Sequence, residues 1–250
     1  MAGNADGTQT ALITGGTRGI GFAAAVGLGS LGYRVVLVGQ DAGRAEEAAK
    51  ALGQRGIAAF GYGCNVASAD DVAGLAAALQ HDPATSSIDL LITSAGVMSE
   101  RMAKTLRTRP EEWQRVMGVN LDGVFNCVAA FVPGMVERRA GRVITISACL
   151  GRFTGPGLSG GLAPYRISKT AVNALTRNLA AELQYGKRGV LVDAMCPNHC
   201  RTDMGGPDAP RSAEEGADTI IWLATRDATL PNGDPVATGL LWEDREQVPW

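Results

Sequence analysis

The 250-residue chain predicts a single α/β domain: a doubly wound, mostly parallel seven-stranded sheet with helices on both faces. Apolar runs of strand length alternate with helix-length stretches from one end to the other. The first run passes directly into a glycine cluster and a helix start. No repeat, low-complexity segment or long linker divides the chain, so residues 1–250 read as one unit.

The first strand is expected over 10–14, T-A-L-I-T, and is followed by G-G-T-R-G-I-G and a helix over 19–31. Gly15, Gly19 and Gly21 remove side chains where the backbone turns sharply and comes close to another group. The amides of the helix start point at that group, and a pyrophosphate fits such a place. Glycine also serves strand-to-helix turns on structural grounds alone. Further strands are expected over 34–39, 57–61, 88–93, 142–147, 190–195 and 236–242, with helices over 42–54, 69–80, 111–138, 165–185 and 212–225. Pro110 and Pro164 stand where helices begin, their missing amides costing nothing there. Two loops are distinctive: 149–163 carries five glycines and 197–211 three prolines. Both follow strands, so both belong at the carboxyl edge of the sheet, where ligands bind in this architecture, and they read as walls of the substrate pocket.

Composition narrows the function. With 46% hydrophobic residues the chain can bury a sizeable core. A net charge of -2, from 23 basic and 25 acidic residues spread along the sequence, provides no footprint for nucleic acid or an anionic membrane. MAGNADGTQT lacks the pattern of a signal peptide, and no apolar run approaches bilayer length. A cytoplasmic protein is expected. Five cysteines, an odd number without a C-x-x-C pair, read as reduced thiols. Cys196, His199 and Cys200 lie together in one loop, but without a further ligand cluster no metal is expected.

The chemistry centres on Y-R-I-S-K. Tyr165 and Lys169 are four residues apart and share a helix face. A positive charge beside a phenol favours the phenolate and is expected to lower its pKa from near ~10 toward the working range.

With these pieces in place the chain resembles the short-chain dehydrogenase/reductase family over nearly its whole length. The matching motifs are T-G-G-T-R-G-I-G at 14–21, S-A-G at 94–96, V-N at 119–120, G-R-V-I-T-I-S at 141–147, Y-R-I-S-K at 165–169, and C-P followed by R-T-D-M within 196–204. The resemblance implies a Rossmann domain and an NAD(P)-dependent oxidoreductase interconverting a ketone and a secondary alcohol. Tyr165 would be the acid/base. Lys169 would bind the nicotinamide ribose, Asn120 would position a water in the proton relay, and Thr202 would meet the carboxamide. Gly15, Thr17, Arg18, Gly19, Ile20, Gly21, Gln40, Asn65, Val66, Ser94, Ala95, Gly96, Tyr165, Lys169, Pro197 and Thr202 would line the dinucleotide. Family members commonly form dimers or tetramers through the helices expected at 111–138 and 165–185, so a homodimer or homotetramer is implied.

The departures matter as much. N-N-A-G has become Thr93-Ser94-Ala95-Gly96, Asn65 stands where an aspartate commonly meets the adenine, and P-G has become Pro197-Asn198. The family's catalytic serine aligns with Ala148. Ser147 lies one place early and, by strand alternation, points to the other face, while Thr154 and Ser159 are the other hydroxyls at hand. NADP(H) is favoured over NAD(H): Gly39 offers no carboxylate to a ribose diol, the next position is Gln40, and Arg18 can pair with a 2′-phosphate, with Arg44 a second candidate. Two other readings stay open, a non-redox enzyme on the same scaffold (dehydration, isomerisation or cyclisation) and a non-catalytic dinucleotide-binding module.

Overall fold

A computed structural model describes residues 7–100 and 103–250. The strands are β1 Thr10–Thr14, β2 Arg34–Gly39, β3 Ala59–Gly63, β4 Leu90–Thr93, β5 Gly141–Ile146, β6 Val190–Met195, β7 Leu241–Glu243 and β8 Glu246–Val248. They form one sheet in the order β3-β2-β1-β4-β5-β6-β7-β8. Pairing is parallel from β3 to β7, with Leu12 beside Val36 and Leu91, and Ile144 beside Ile92 and Asp193. The helices are α1 Gly19–Ser30, α2 Ala42–Gly53, α3 Ala69–His81, α4 Pro110–Met117, α5 Gly123–Arg138, α6 Ala163–Glu182 and α7 Ala213–Thr225.

Alternation along the strands divides the core. Leu12, Val36, Leu91, Val143 and Val192 face α3, α5 and α6. Ile13, Leu37, Ile92 and Ile144 face α1, α2 and α7 on the opposite side. The inner strands read as apolar runs because both faces are covered. Local signals set the helix starts. Asp41 caps α2, Ser68 caps α3, and Ser212 with Glu215 forms a capping box on α7.

Four expectations need correction. The sheet has eight strands, because the chain turns back after β7 through Asp244 and Arg245, both with positive φ (52° and 64°), and adds β8 antiparallel. The strand expected over 236–242 is confined to Leu241–Glu243, since before it the Leu240 amide donates to the Asp193 side chain and the Gly239 amide to the Val192 carbonyl. The helix expected over 111–138 is broken by a π turn, Gly118–Asp122, which carries Asn120. Counted as one helix, Pro110–Arg138 spans 29 residues with a stretch of mean hydropathy 1.4, long and apolar enough to cross a membrane, contrary to the sequence reading. The packing accounts for that composition: Val124, Cys127, Val128, Phe131, Val132 and Met135 are buried with the sheet residues of one core.

The far end of β6 is organised by a buried carboxylate. Asp193 accepts from Arg226 (2.7 Å), Trp242 Nε1 (3.0 Å), Thr238 (3.2 Å) and the Leu240 amide (3.2 Å). The Arg226 guanidinium lies 5.2 Å and 4.9 Å from the ring centres of Trp222 and Trp242, which are themselves in edge contact. Burial raises the Asp193 pKa, and Arg226 opposes that shift. Removing one partner of such a pair leaves the other charge buried. Asp193→Ala is therefore expected to lower stability by about 3–5 kcal/mol in denaturant unfolding.

Candidate active site

A cleft of about 1220 Å³ runs along the carboxyl edge of β1, β4, β5 and β6. At one wall the turn from β1 to α1 lies tight on the backbone after β4: a Cβ at Gly15 would stand 2.8 Å from Ala95, and one at Gly21 2.5 Å from the Gly15 carbonyl. Gly15 and Gly19 have φ of 64° and 56°, where a side chain would add strain. The start of α1 has no side-chain cap and no acidic residue in its first turn. Its free amides and positive dipole end face the cleft, which suits an anion.

The floor is built by α6. Tyr165 and Lys169 are both buried and line the cleft, with Lys169 Nζ 5.9 Å from the centre of the Tyr165 ring. Lys169 donates to the Ile146 carbonyl at 2.7 Å, its one hydrogen-bond acceptor among the described residues, which leaves donors for a ligand hydroxyl. Gly96 lies over this floor: a Cβ there would be in ordinary contact with Asn120 Oδ1 (3.5 Å) and Lys169 Nζ (3.8 Å). Asn120 Oδ1 accepts from the Val97 amide (2.8 Å), while Nδ2 donates to the Val97 carbonyl and to Ser168 Oγ (both 3.0 Å). Ser168 donates in turn to the Tyr165 carbonyl at 2.7 Å. The Asn120 side chain thus ties the floor together. Ser168 was not singled out in the sequence, although its place three residues after Tyr165 within Y-R-I-S-K was the available signal.

The expected fall in the Tyr165 pKa does not occur. Burial raises it, and Cys196 and Cys149 add to the rise. Burial also brings Lys169 down to about 8, so the neighbouring cation is itself close to losing its charge.

The structure brings Ala148, not Ser147, against Tyr165 and Val116. Ser147 donates instead to Asn173 Oδ1 (2.5 Å), whose amide nitrogen reaches the Gly151 carbonyl. Neither Thr154 nor Ser159 lines the cleft. Met98, Leu150, Leu162 and Met204 add an apolar lining.

At the other end a recess of about 890 Å³ adjoins the cleft at Thr17, Arg18, Gly39 and Gln40 and adds Asp41, Arg44 and Glu47. A Cβ at Gly39 would meet the Thr17 methyl at 2.7 Å, so an acidic side chain there would have to displace Thr17. Arg18 forms an exposed ion pair with Asp203, a partner the sequence reading missed because it is distant in the chain. Asn65 and Thr202 line the cleft, but each also closes a local turn: Asn65 Oδ1 accepts from the Ala67 amide, and Thr202 Oγ1 from the Gly205 amide. Ile20, Val66, Ser94 and Pro197 line it as well. In the loop after β6, His199 contacts the Gly205 carbonyl and Cys200 that of Pro197, and no metal-binding cluster occurs among the described residues.

This arrangement, an uncapped helix start on a glycine turn at the carboxyl edge of a doubly wound sheet with a buried Tyr–Lys pair beyond it, defines a dinucleotide-binding α/β enzyme. The model of the short chain dehydrogenase family matches residues 9–213, and the chain belongs to that family. It is 33% identical over 198 residues to a 3-oxoacyl-(acyl-carrier-protein) reductase of Staphylococcus aureus, covering 79% of this chain and 76% of that protein. It is 33% identical over 227 residues to the 5-keto-D-gluconate 5-reductase of Escherichia coli, covering 90% and 82%. Among solved structures it is similar to a metagenomic short-chain oxidoreductase in complex with NADP (TM-score 0.74, 30% identity, covering 88% of this chain and 91% of that one). A second similar structure is a short chain dehydrogenase/reductase family protein (TM-score 0.78, 31% identity, covering 94% and 96%).

The depressed Lys169 pKa yields a pH test. Cofactor affinity is expected to be level below pH about 8 and to fall above it as Lys169 loses its proton, and the break should vanish in Lys169→Met. The same residue works in the opposite direction on the fold. Between about 8 and the ordinary value of 10.5 the unfolded chain binds more protons, so this contribution to stability rises with pH.

Proposed function

We propose that the chain is a cytoplasmic NADP(H)-dependent reductase that converts a small or medium ketone into a secondary alcohol. The observation that carries this reading is the buried Tyr165–Lys169 pair on the floor of a cleft whose other end offers an uncapped helix start. The names of the two curated relatives, an oxoacyl reductase and a keto-gluconate reductase, both describe reduction of a ketone. A bound nicotinamide would supply hydride to the carbonyl carbon. Tyr165, which burial keeps protonated, would donate its phenolic proton to the substrate oxygen. Lys169 would hold ribose hydroxyls, and Asn120 would keep α6 and the backbone after β4 in fixed relation. The apolar lining from Leu150, Leu162 and Met204 would exclude water from the reacting carbon.

Arg18, Gln40 and Arg44 around the smaller recess support NADP(H) over NAD(H), as does Thr17 in the space a carboxylate at Gly39 would need. The odd, unpaired cysteine pattern supports a reducing compartment. Assembly as a homodimer or homotetramer is supported by the exposed Trp113 and Phe125 on α4 and α5 and Ile167 on α6. The alignment of Ala148 with the family's serine keeps a second reading in view, a non-redox reaction in the same cleft.

NADPH oxidation followed at the nicotinamide absorbance against a panel of ketones tests the proposal directly; binding without turnover on any of them would favour the second reading. In that assay Tyr165→Phe is expected to lower turnover by ~10²- to 10⁴-fold while leaving NADPH affinity nearly unchanged.

Arg18→Ala is expected to weaken NADPH binding by about 1–2.5 kcal/mol and NADH binding hardly at all. A hydrogen bond to a charged group contributes about 1.5–3 kcal/mol, less the few tenths needed to leave an exposed partner such as Asp203. Equal losses for the two cofactors, measured by titration, would assign Arg18 to the turn alone.

At the substrate end, Ala148→Ser would restore a donor beside Tyr165. Such donors contribute ~10²–10³-fold in optimised sites, so a gain of about tenfold in ketone reduction is expected. Loss of activity in Ser147→Ala with no gain in Ala148→Ser would reverse the assignment.

A further inference from the structure

Cys149 and Cys196 sit on neighbouring strand ends, on the same cleft, and the reaction proposed above uses neither. β5 and β6 run in register to Ile146 beside Met195, and the Ser147 amide extends the ladder to the Met195 carbonyl at 2.8 Å. Cys196 follows β6 directly, and Cys149 lies in the short 3-10 turn Cys149–Gly151 after β5. The two thiols interact, each shifting the other's pKa, and both residues line the cleft, where the Cys196 sulfur also accepts from the Asn198 amide at 3.4 Å. Cys196 is buried, whereas Cys149 is partly open to solvent. The other cysteines differ. Cys64 and Cys127 are buried, and Cys200 donates to the Pro197 carbonyl.

We propose that Cys149 and Cys196 form a redox-active dithiol, with Cys149 the attacking thiol and Cys196 the resolving one, which a hydroperoxide converts to a disulfide inside the cleft. The step balances without another reagent. The Cys149 thiolate attacks one oxygen of hydrogen peroxide, the O–O bond breaks, and the departing hydroxide takes up a proton as water. The Cys196 sulfur then attacks the Cys149 sulfenic acid; the S–S bond forms, the S–O bond breaks, and the second oxygen leaves as water with the Cys196 proton. Two thiols lose two electrons and two protons, and one peroxide is reduced to two waters.

The environment matches these roles. Interaction with Cys196 lowers the Cys149 pKa, with Arg152 contributing although burial and Glu243 oppose, and the same interaction together with burial raises Cys196. A lowered pKa increases the share of Cys149 present as thiolate, the form that reacts. Cys127 is pushed up to about 12 by burial, and burial raises Cys64 and Cys200 as well. The bond would reach the active site through Gly151, the last residue of the same turn. A Cβ there would stand 2.7 Å from Lys169 Cβ, so the turn rests directly on α6 at Lys169. Intracellular disulfides that form transiently in this way are commonly redox-sensing.

The test uses the full-length reduced protein, treated with hydrogen peroxide at low molar excess and then mapped by proteolysis and mass spectrometry under non-reducing conditions. The expected result is a Cys149–Cys196 crosslinked peptide, loss of two of the five free thiols, and full recovery with dithiothreitol. Cys149→Ser should retain its remaining thiols under the same treatment. Cys196→Ser should stop at a Cys149 sulfenic acid that dimedone traps, a readout that does not require the disulfide. Five intact thiols, a crosslink between another pair, or a Cys196→Ser protein that dimedone leaves unlabelled would each overturn the proposal.

Because the misplacement of a catalytic group by about 1 Å can cost ~10²-fold, the oxidised wild type is also expected to reduce ketones at least about tenfold more slowly, with NADPH binding retained. This last effect rests on the reductase reading. If the reduced protein turns over no ketone, that reading fails while the peptide map still decides the dithiol.

Discussion

Asn120 is fully buried in the π turn between α4 and α5, and its amide joins parts of the chain that sequence keeps far apart. One hydrogen bond accepts from, and another donates to, the backbone of Val97 after β4; a third reaches Ser168 and through it the Tyr165 carbonyl. A buried polar group left unpaired costs about 1–3 kcal/mol, so these partners must be present together or the helix interruption would be unfavourable. Asparagine is suited to the position because it offers donors and an acceptor on one short side chain. The separation between Gly96 and the Tyr165–Lys169 pair, and with it the width of the cleft, depends on this one side chain.

The electrostatics of the floor follow from how tightly it is packed. Burial penalises the charged form of both neighbours, favouring phenol at Tyr165 and bringing Lys169 within reach of its neutral form. The opposing charge that the Y-R-I-S-K spacing promises is therefore weaker in the folded chain than the spacing alone implies. Ligand anions near Lys169 would strengthen its charge again. Proton affinity at Tyr165 is in this sense a property of the occupied cleft more than of the helix that carries the tyrosine.

Much of this architecture was legible in the sequence. Apolar alternation placed six of the strands to within about two residues, because buried parallel strands must be apolar on both faces. Gly15 and Gly21 announced their turn through local chemistry that needs no tertiary contact. The alignment of Ala148 also had a local basis: alternate strand residues face opposite ways, and the structure sends Ser147 to Asn173 and Ala148 to Tyr165. What sequence could not convey was tertiary. The Arg18–Asp203 pair joins residues 185 apart, β8 depends on a hairpin of two non-glycine residues with positive φ, and the pKa of Tyr165 depends on burial. The π turn escaped because its cause is the set of partners around Asn120, not helix propensity.

The hairpin after β7 has a consequence for the protein's behaviour at high concentration. A parallel sheet that stopped at β7 would present Leu241–Glu243 as an open ladder of amides and carbonyls, a template on which another chain could add. β8 covers that ladder with only three residues, Glu246, Gln247 and Val248, and Arg245 fastens the hairpin to Asp218 on α7. The new outer edge is only three residues long and leads straight into Pro249, which lacks an amide to donate. The segment Glu246–Val248 thereby covers an edge on which another strand could otherwise add.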